Sequence, residues 1–165
     1  MKRLACWALV ALLVALPLVV RADEAADTFN ELYAGDLKRV AATRSADDDV
    51  TLAKQLVEAA KQVTDQAAFL TLLCEKAYEL GMADLSGYPT AKAAMDLLAA
   101  NVPEKKIESL QKLASMYRGY YTTARGDAKA EAGEALIEFD MTAGQERRLD
   151  GNLRQLASLE KRGQR

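Results

Sequence analysis

Tyr117-Arg118-Gly119-Tyr120-Tyr121, followed by Arg125, is the densest run of contact-making side chains in the sequence. Tyrosine and arginine are enriched at binding hot spots because they bring area, rigidity and directed donors. On a helix Tyr117 and Tyr121 share one face, and Arg118 and Arg125 share another. This pattern points to recognition of a protein or peptide surface. The competing expectation is structural, with Tyr117 and Tyr121 in the core and the arginines in water.

Carboxylates form the second set. Glu131, Glu134 and Glu138 recur at spacings of three and four. Paired carboxylates serve glycoside chemistry or metals, but a helical stripe of glutamates is ordinarily a solvated face. Asp47, Asp49 and Glu58 echo positions one, three and twelve of a calcium loop. The sixth position, a glycine in such loops, is here Leu52. Asp47-Asp48-Asp49 suits the first turn of a helix better, where acids meet its partial positive charge. The chain contains no histidine. That removes Ser-His-Asp and Cys-His pairs, histidine-ligated zinc and haem, and the commonest general base near neutral pH. The expectation is therefore no enzyme, with no catalytic, cofactor-binding or metal-binding residue assigned.

These residues sit behind an export signal. Lys2 and Arg3 form a positive start, Leu4 to Val20 is an uncharged apolar run, and Val20-Arg21-Ala22 offers a small residue for cleavage. Cleavage is expected after Ala22, giving a periplasmic or secreted protein with no stable membrane insertion afterwards. The competing reading is an uncleaved anchor, at the short edge of the ~17–25 residues that span a bilayer. Removal of Lys2, Arg3 and Arg21 takes the net charge from −2 to −5. A mildly acidic domain is poorly suited to nucleic acid, which calls for clustered Lys and Arg. The C-terminus is locally basic, with Arg147, Arg148, Arg154, Lys161, Arg162 and Arg165, offset by Glu146, Asp150 and Glu160. Cys6 leaves with the signal, so Cys74 has no intramolecular partner, and its apolar helical setting makes it a packed thiol.

The elements that position these side chains read as helix throughout, in a mature chain rich in Ala, Leu, Glu, Lys and Gln. The first helix is expected over about 25–42, with Phe29, Leu32, Tyr33, Leu37, Val40 and Ala41 inward. The second runs over 46–63, capped by Ser45 with Asp48, with Val50, Ala53, Leu56, Val57, Ala60 and Val63 inward. The third covers 66–80, burying Phe69, Leu70, Leu73, Cys74, Ala77 and Tyr78, with Gly81 as its stop. After a loop over 82–88, Pro89 opens the fourth, whose inner face is Ala91, Ala94, Met95 and Leu98. Pro103 opens the fifth, with Ile107, Leu110, Leu113, Ala114, Tyr117 and Tyr121 inward. Gly126 stops it, and Asp127 caps a sixth helix ending near Phe139 or Met141. A separate polar segment follows over 146–161. Short connections join antiparallel neighbours, so the fold class is all-α, as stacked helix hairpins. The expected divisions are a signal over 1–22, a helical-hairpin domain over 23–144 and a polar helix or tail over 145–165.

Tyr88, Ala91, Met95 and Pro103 fall at the offsets of the second helix of a tetratricopeptide repeat. Cys74-Glu75-Lys76-Ala77-Tyr78 ahead of Gly81 supplies part of a first helix, and Leu113-Ala114 with Tyr117 repeats some of it. Over about Phe69 to Tyr121 the chain thus resembles a degenerate tetratricopeptide hairpin. It departs from the family at Leu98, where a second small alanine is expected. The resemblance implies stacked helix pairs, as a short array or else a helical bundle, and a protein- or peptide-binding role. The chain as a whole also resembles exported bacterial proteins, which implies no activity.

The leading expectation is an exported all-helical interaction module that binds a protein or peptide. The alternatives are a structural domain or fragment of a larger helical array, and an enzyme working through carboxylates. Oligomeric state is left open.

Overall fold

Apolar residues at helical spacing decide which faces meet. The computed structural model describes residues 22–163, with side chains outside Ala22, Asp150 and residues 152–163. The expected signal up to Arg21 lies outside the described residues. Six α-helices follow in order: α1 (Ala22–Ala42), α2 (Ala46–Ala60), α3 (Ala67–Gly81), α4 (Tyr88–Asn101), α5 (Lys106–Thr123) and α6 (Asp127–Gly163). Single 3-10 turns at Leu85–Gly87 and Pro103–Lys105 lead into α4 and α5. The helices pack in sequence as antiparallel neighbours, so the all-α hairpin stack expected from the sequence is the observed fold. Among the described residues no helix is long and apolar enough to cross a membrane.

The core is centred on α3, which packs against α1, α2 and α4. Leu56, Leu70, Leu73, Cys74, Ala77, Ala91, Ala94 and Met95 are wholly shielded from solvent. Fully burying one such large side chain stabilises by roughly 1.5–3 kcal/mol. The expected stripes of α2, α3 and α4 are all buried apart from Val63 and Tyr78, which are half-buried. Tyr78 reaches out of the core to donate its hydroxyl to the Lys112 carbonyl oxygen at 3.1 Å. Burial, with Glu75 beside it, pushes the Cys74 thiol up to about 12. Cys74 is therefore a neutral packed group.

α1 departs from its expected stripe. Ala25, Phe29 and Val40 are buried, but Leu32 is 58% exposed and Ala41 is exposed. Among the described residues α1 is an outer helix that touches only α2 and α3, so the stripe it buries is narrow. α5 departs in the other direction. Ser109 and Met116 join Leu110, Leu113 and Ala114 in the interior, because α5 lies between α4 and α6. Tyr121 is partly exposed and Ile107 half-buried. Among the described residues the buried Ser109 hydroxyl has no hydrogen-bond partner, at a cost of about 1–3 kcal/mol.

Several helix ends differ from expectation: α1 begins at Ala22, α2 stops at Ala60 instead of Val63, and Pro103 opens a 3-10 turn ahead of α5. Ser45 holds the extended N-cap conformation of α2, but its side chain makes no capping bond. Asp127 is the first residue of α6 rather than its cap. Gly126, at φ +59°, precedes it and accepts from the Lys129 and Ala130 amides at 3.1 and 3.3 Å. Only glycine takes that left-handed conformation without strain. Gly81 is the last residue of α3, and Met82 follows it in ordinary right-handed geometry. Both glycines are small because their backbones cross: a Cβ on Gly81 would lie 3.0 Å from the Gly87 carbonyl oxygen and the Ala91 amide nitrogen, and a Cβ on Gly87 would strike the Gly81 carbonyl oxygen.

α6 is the largest correction. The sequence reads as a helix ending near Phe139 or Met141 and a separate segment over 146–161, but one helix runs from Asp127 to Gly163. At 1.5 Å per residue it is roughly 55 Å long. Ala143 is buried within it, and Lys106 holds Glu146 at 2.5 Å across from α5. These contacts sit on both sides of Gly144 and carry the helix through it.

Charged groups stitch α3 to α5 outside the core. Lys105 reaches Glu75 at 3.0 Å and Glu108 at 2.8 Å, and Lys112 reaches Glu108 at 3.1 Å. Hydrogen bonds from Lys105 and Lys112 hold the Glu108 carboxyl below its usual range. All four groups are partly solvated, so the network contributes little per pair.

Candidate functional site

α4, α5 and α6 leave an open groove of about 340 Å³ at the end where α4 begins. Pro89, in the first turn of α4, starts the helix without wasting a backbone donor and holds Tyr88 and Lys92 at the rim. α5 contributes Tyr117 and Tyr120, three residues apart on one helical face. α6 closes the far side with Glu131, Ala132 and Ala135. The preceding 3-10 turn supplies Leu85, which is 55% exposed.

Aromatic geometry fixes the walls. Tyr88 and Tyr120 meet edge-to-face, with ring centroids 5.8 Å apart and planes at 76°. Tyr117 stacks on Phe139 of α6 at 5.5 Å. Lys92 lies 5.8 Å from the Phe139 ring centroid and donates to Asp96 at 2.6 Å. That bond holds its ammonium charged above the usual range. The groove thus offers aromatic faces, phenolic hydroxyls, one fixed cation and the exposed carboxylate of Glu131. Such a set can hold an apolar or aromatic side chain and orient polar backbone around it.

The five residues singled out in the sequence are divided by this arrangement. Tyr117 and Tyr120 line the groove together. Tyr121 turns toward α6, where a Cβ on Gly133 would lie 3.2 Å from its ring, and Lys129 sits 4.6 Å above the ring centroid. Arg118 bridges to Asp140 of α6 at 3.1 Å, with both side chains more than half exposed. Arg125 is exposed beyond the end of α5. Tyr88, Lys92 and Glu131 were not grouped with the tyrosine run in the sequence. Tyr88 carried a signal, as the aromatic of the repeat-like pattern, but nothing local to it points at Tyr120.

The carboxylate sets do not converge. Asp47, Asp48 and Asp49 occupy the first turn of α2, Leu52 is buried, and Glu58 pairs with Lys61 at 2.6 Å. Glu131, Glu134 and Glu138 are all exposed on α6. Among the described residues no group of three or more Cys, Asp or Glu could hold a metal ion.

Compared with models of protein families, with curated proteins and with solved structures, the chain matches none of them.

Proposed function

We propose that the protein is an exported interaction module that binds a protein or peptide in the groove between α4, α5 and α6. The observation that carries this reading is the edge-to-face Tyr88–Tyr120 pair beside Tyr117, open to solvent at a helix junction. Two-ring walls of this kind present rigid apolar area with hydroxyls at the edge, which suits a side-chain anchor on a partner. The apolar run of Leu4 to Val20 behind Lys2 and Arg3 supports action outside the cytoplasm.

The finer reading is a degenerate tetratricopeptide hairpin formed by α3 and α4. Ala91 and Met95, at the family's offsets, are both fully shielded from solvent, and Pro103 begins the turn into α5. The tight glycine crossing between α3 and α4 favours paired-helix packing of this type.

Tyr120→Ala tests the groove. The side chain is half-buried at the rim, so the melting temperature should stay close to that of the parent protein. Cross-linking in an envelope or extracellular fraction should recover a defined partner with the parent. Tyr120→Ala should lose it by roughly thirtyfold, the 2 kcal/mol of a hot spot. Equal recovery by Tyr120→Ala, or no partner with the parent, overturns the proposal.

A further inference from the structure

α6 presents one side to α5 and an uncovered apolar ridge on the other. Ala132 and Ala143 are buried on the side facing α5. Away from it, Ile137 is 62% exposed, Met141 60% and Leu149 57%. Ile137 and Met141, with Glu134, Glu138 and Gln145, border a shallow depression of about 420 Å³ built from α6 residues. At 3.6 residues per turn, Ile137, Arg148, Met141, Glu138 and Leu149 fall within one arc of about 120°.

The charge along this arc changes sign. Glu134 and Glu138 lie N-terminal to Met141, and Arg148 lies C-terminal to it. All three are exposed. A parallel second copy would set glutamate beside glutamate. An antiparallel copy centred between Met141 and Gln145 sets Glu138 level with the partner's Arg148 and Met141 level with the partner's Gln145, while Ile137 and Leu149, at the two edges of the arc, flank the seam on opposite sides. A two-fold axis produces each of these pairings twice. The ridge is thus complementary to itself in charge in one orientation only.

We propose that α6 is a self-association surface, on which a second copy of this chain docks antiparallel through Ile137 and Met141, with Glu138 paired to the partner's Arg148. None of these residues lines the tyrosine groove, so the proposal stands apart from the binding reading.

Sedimentation equilibrium of the purified protein, with charge reversals, tests it. The parent protein should show a monomer–dimer equilibrium. Glu138→Arg and Arg148→Glu should each weaken the dimer by roughly tenfold, because each sets like charges opposite one another. The double variant should restore it, since opposite charges again face across the axis. Each side chain is exposed, and matching circular-dichroism melts show that the variants remain folded. A protein that stays monomeric at all concentrations overturns the proposal. So does a dimer indifferent to the single reversals, or a double variant as weak as the singles.

Discussion

Gly87→Ala should destabilise the protein by about 3 kcal/mol, at the upper end of the cost of overpacking. The sign opposes what conformational preference alone dictates. Gly87 sits at φ −85° and ψ −15°, which alanine adopts freely. Replacing glycine in such a conformation ordinarily stabilises, by restricting the unfolded chain. At Gly87, however, the new Cβ would strike the Gly81 carbonyl oxygen and come within 2.9 Å of Val50 Cγ2. The first obstacle is backbone and cannot rotate aside, so the start of α4 must move away from the end of α3. Gly35, inside α1, supplies the contrast, because a Cβ there meets nothing within 4 Å. Gly35→Ala should stabilise by roughly 0.5–1 kcal/mol. Urea unfolding of both variants measures the difference, and a Gly87→Ala protein as stable as its parent would refute the crossing.

Leu73→Ala should cost a similar amount, about 3 kcal/mol, within the range for emptying a closed core site. Leu73 is completely shielded on α3, the helix that touches α1, α2 and α4. Neighbours held on several sides collapse poorly into a void, so the cavity penalty adds to the lost transfer energy. For a chain of this size the melting midpoint should fall by roughly 10 °C. Leu32→Ala should change stability by less than about 0.5 kcal/mol, as an exposed site away from special features does. Comparable losses at Leu32 and Leu73 would mean that α1 buries a broader stripe than described.

That pair of leucines also marks how far the sequence could be read. Periodicity identifies a helix and its apolar side, and for α2, α3 and α4 that sufficed because each is covered broadly. It does not say how many neighbours a helix has. Leu32 lies on the apolar side of α1 and is left out because nothing covers that edge. Met116 was missed for the opposite reason, being buried on a second side of α5. Gly81 marks the end of α3 to within one residue, but as its last helical residue and not as a left-handed stop, because the crossing with the Gly87 backbone is a contact with no local signature. The gap expected between Met141 and Glu146 is closed in α6, where the gap's one glycine, Gly144, costs only about 1 kcal/mol and no proline stands beside it. The groove was half legible. Tyr117 and Tyr120 were both singled out in the sequence, but their meeting with Tyr88 depends on how α4 leans on α5.

The placement of α6 has a consequence for local opening. Among the described residues its backbone neighbours α5 alone, and of its described side chains only Phe139 packs, partly buried, against the main core cluster. α6 can therefore separate while α2, α3 and α4 keep their shared interior, in a sub-global step cheaper than full unfolding. Amide hydrogen exchange should be fastest among the helices in α6 and slowest in α3, with the α3 amides released only by global unfolding. Uniform protection across α3 and α6 would instead mark a single cooperative unit. Because α6 forms one wall of the tyrosine groove, its release would also dismantle that groove. An occupant that bridges α4 and α6 would suppress the opening, so exchange in α6 would slow on binding even at residues the occupant never touches.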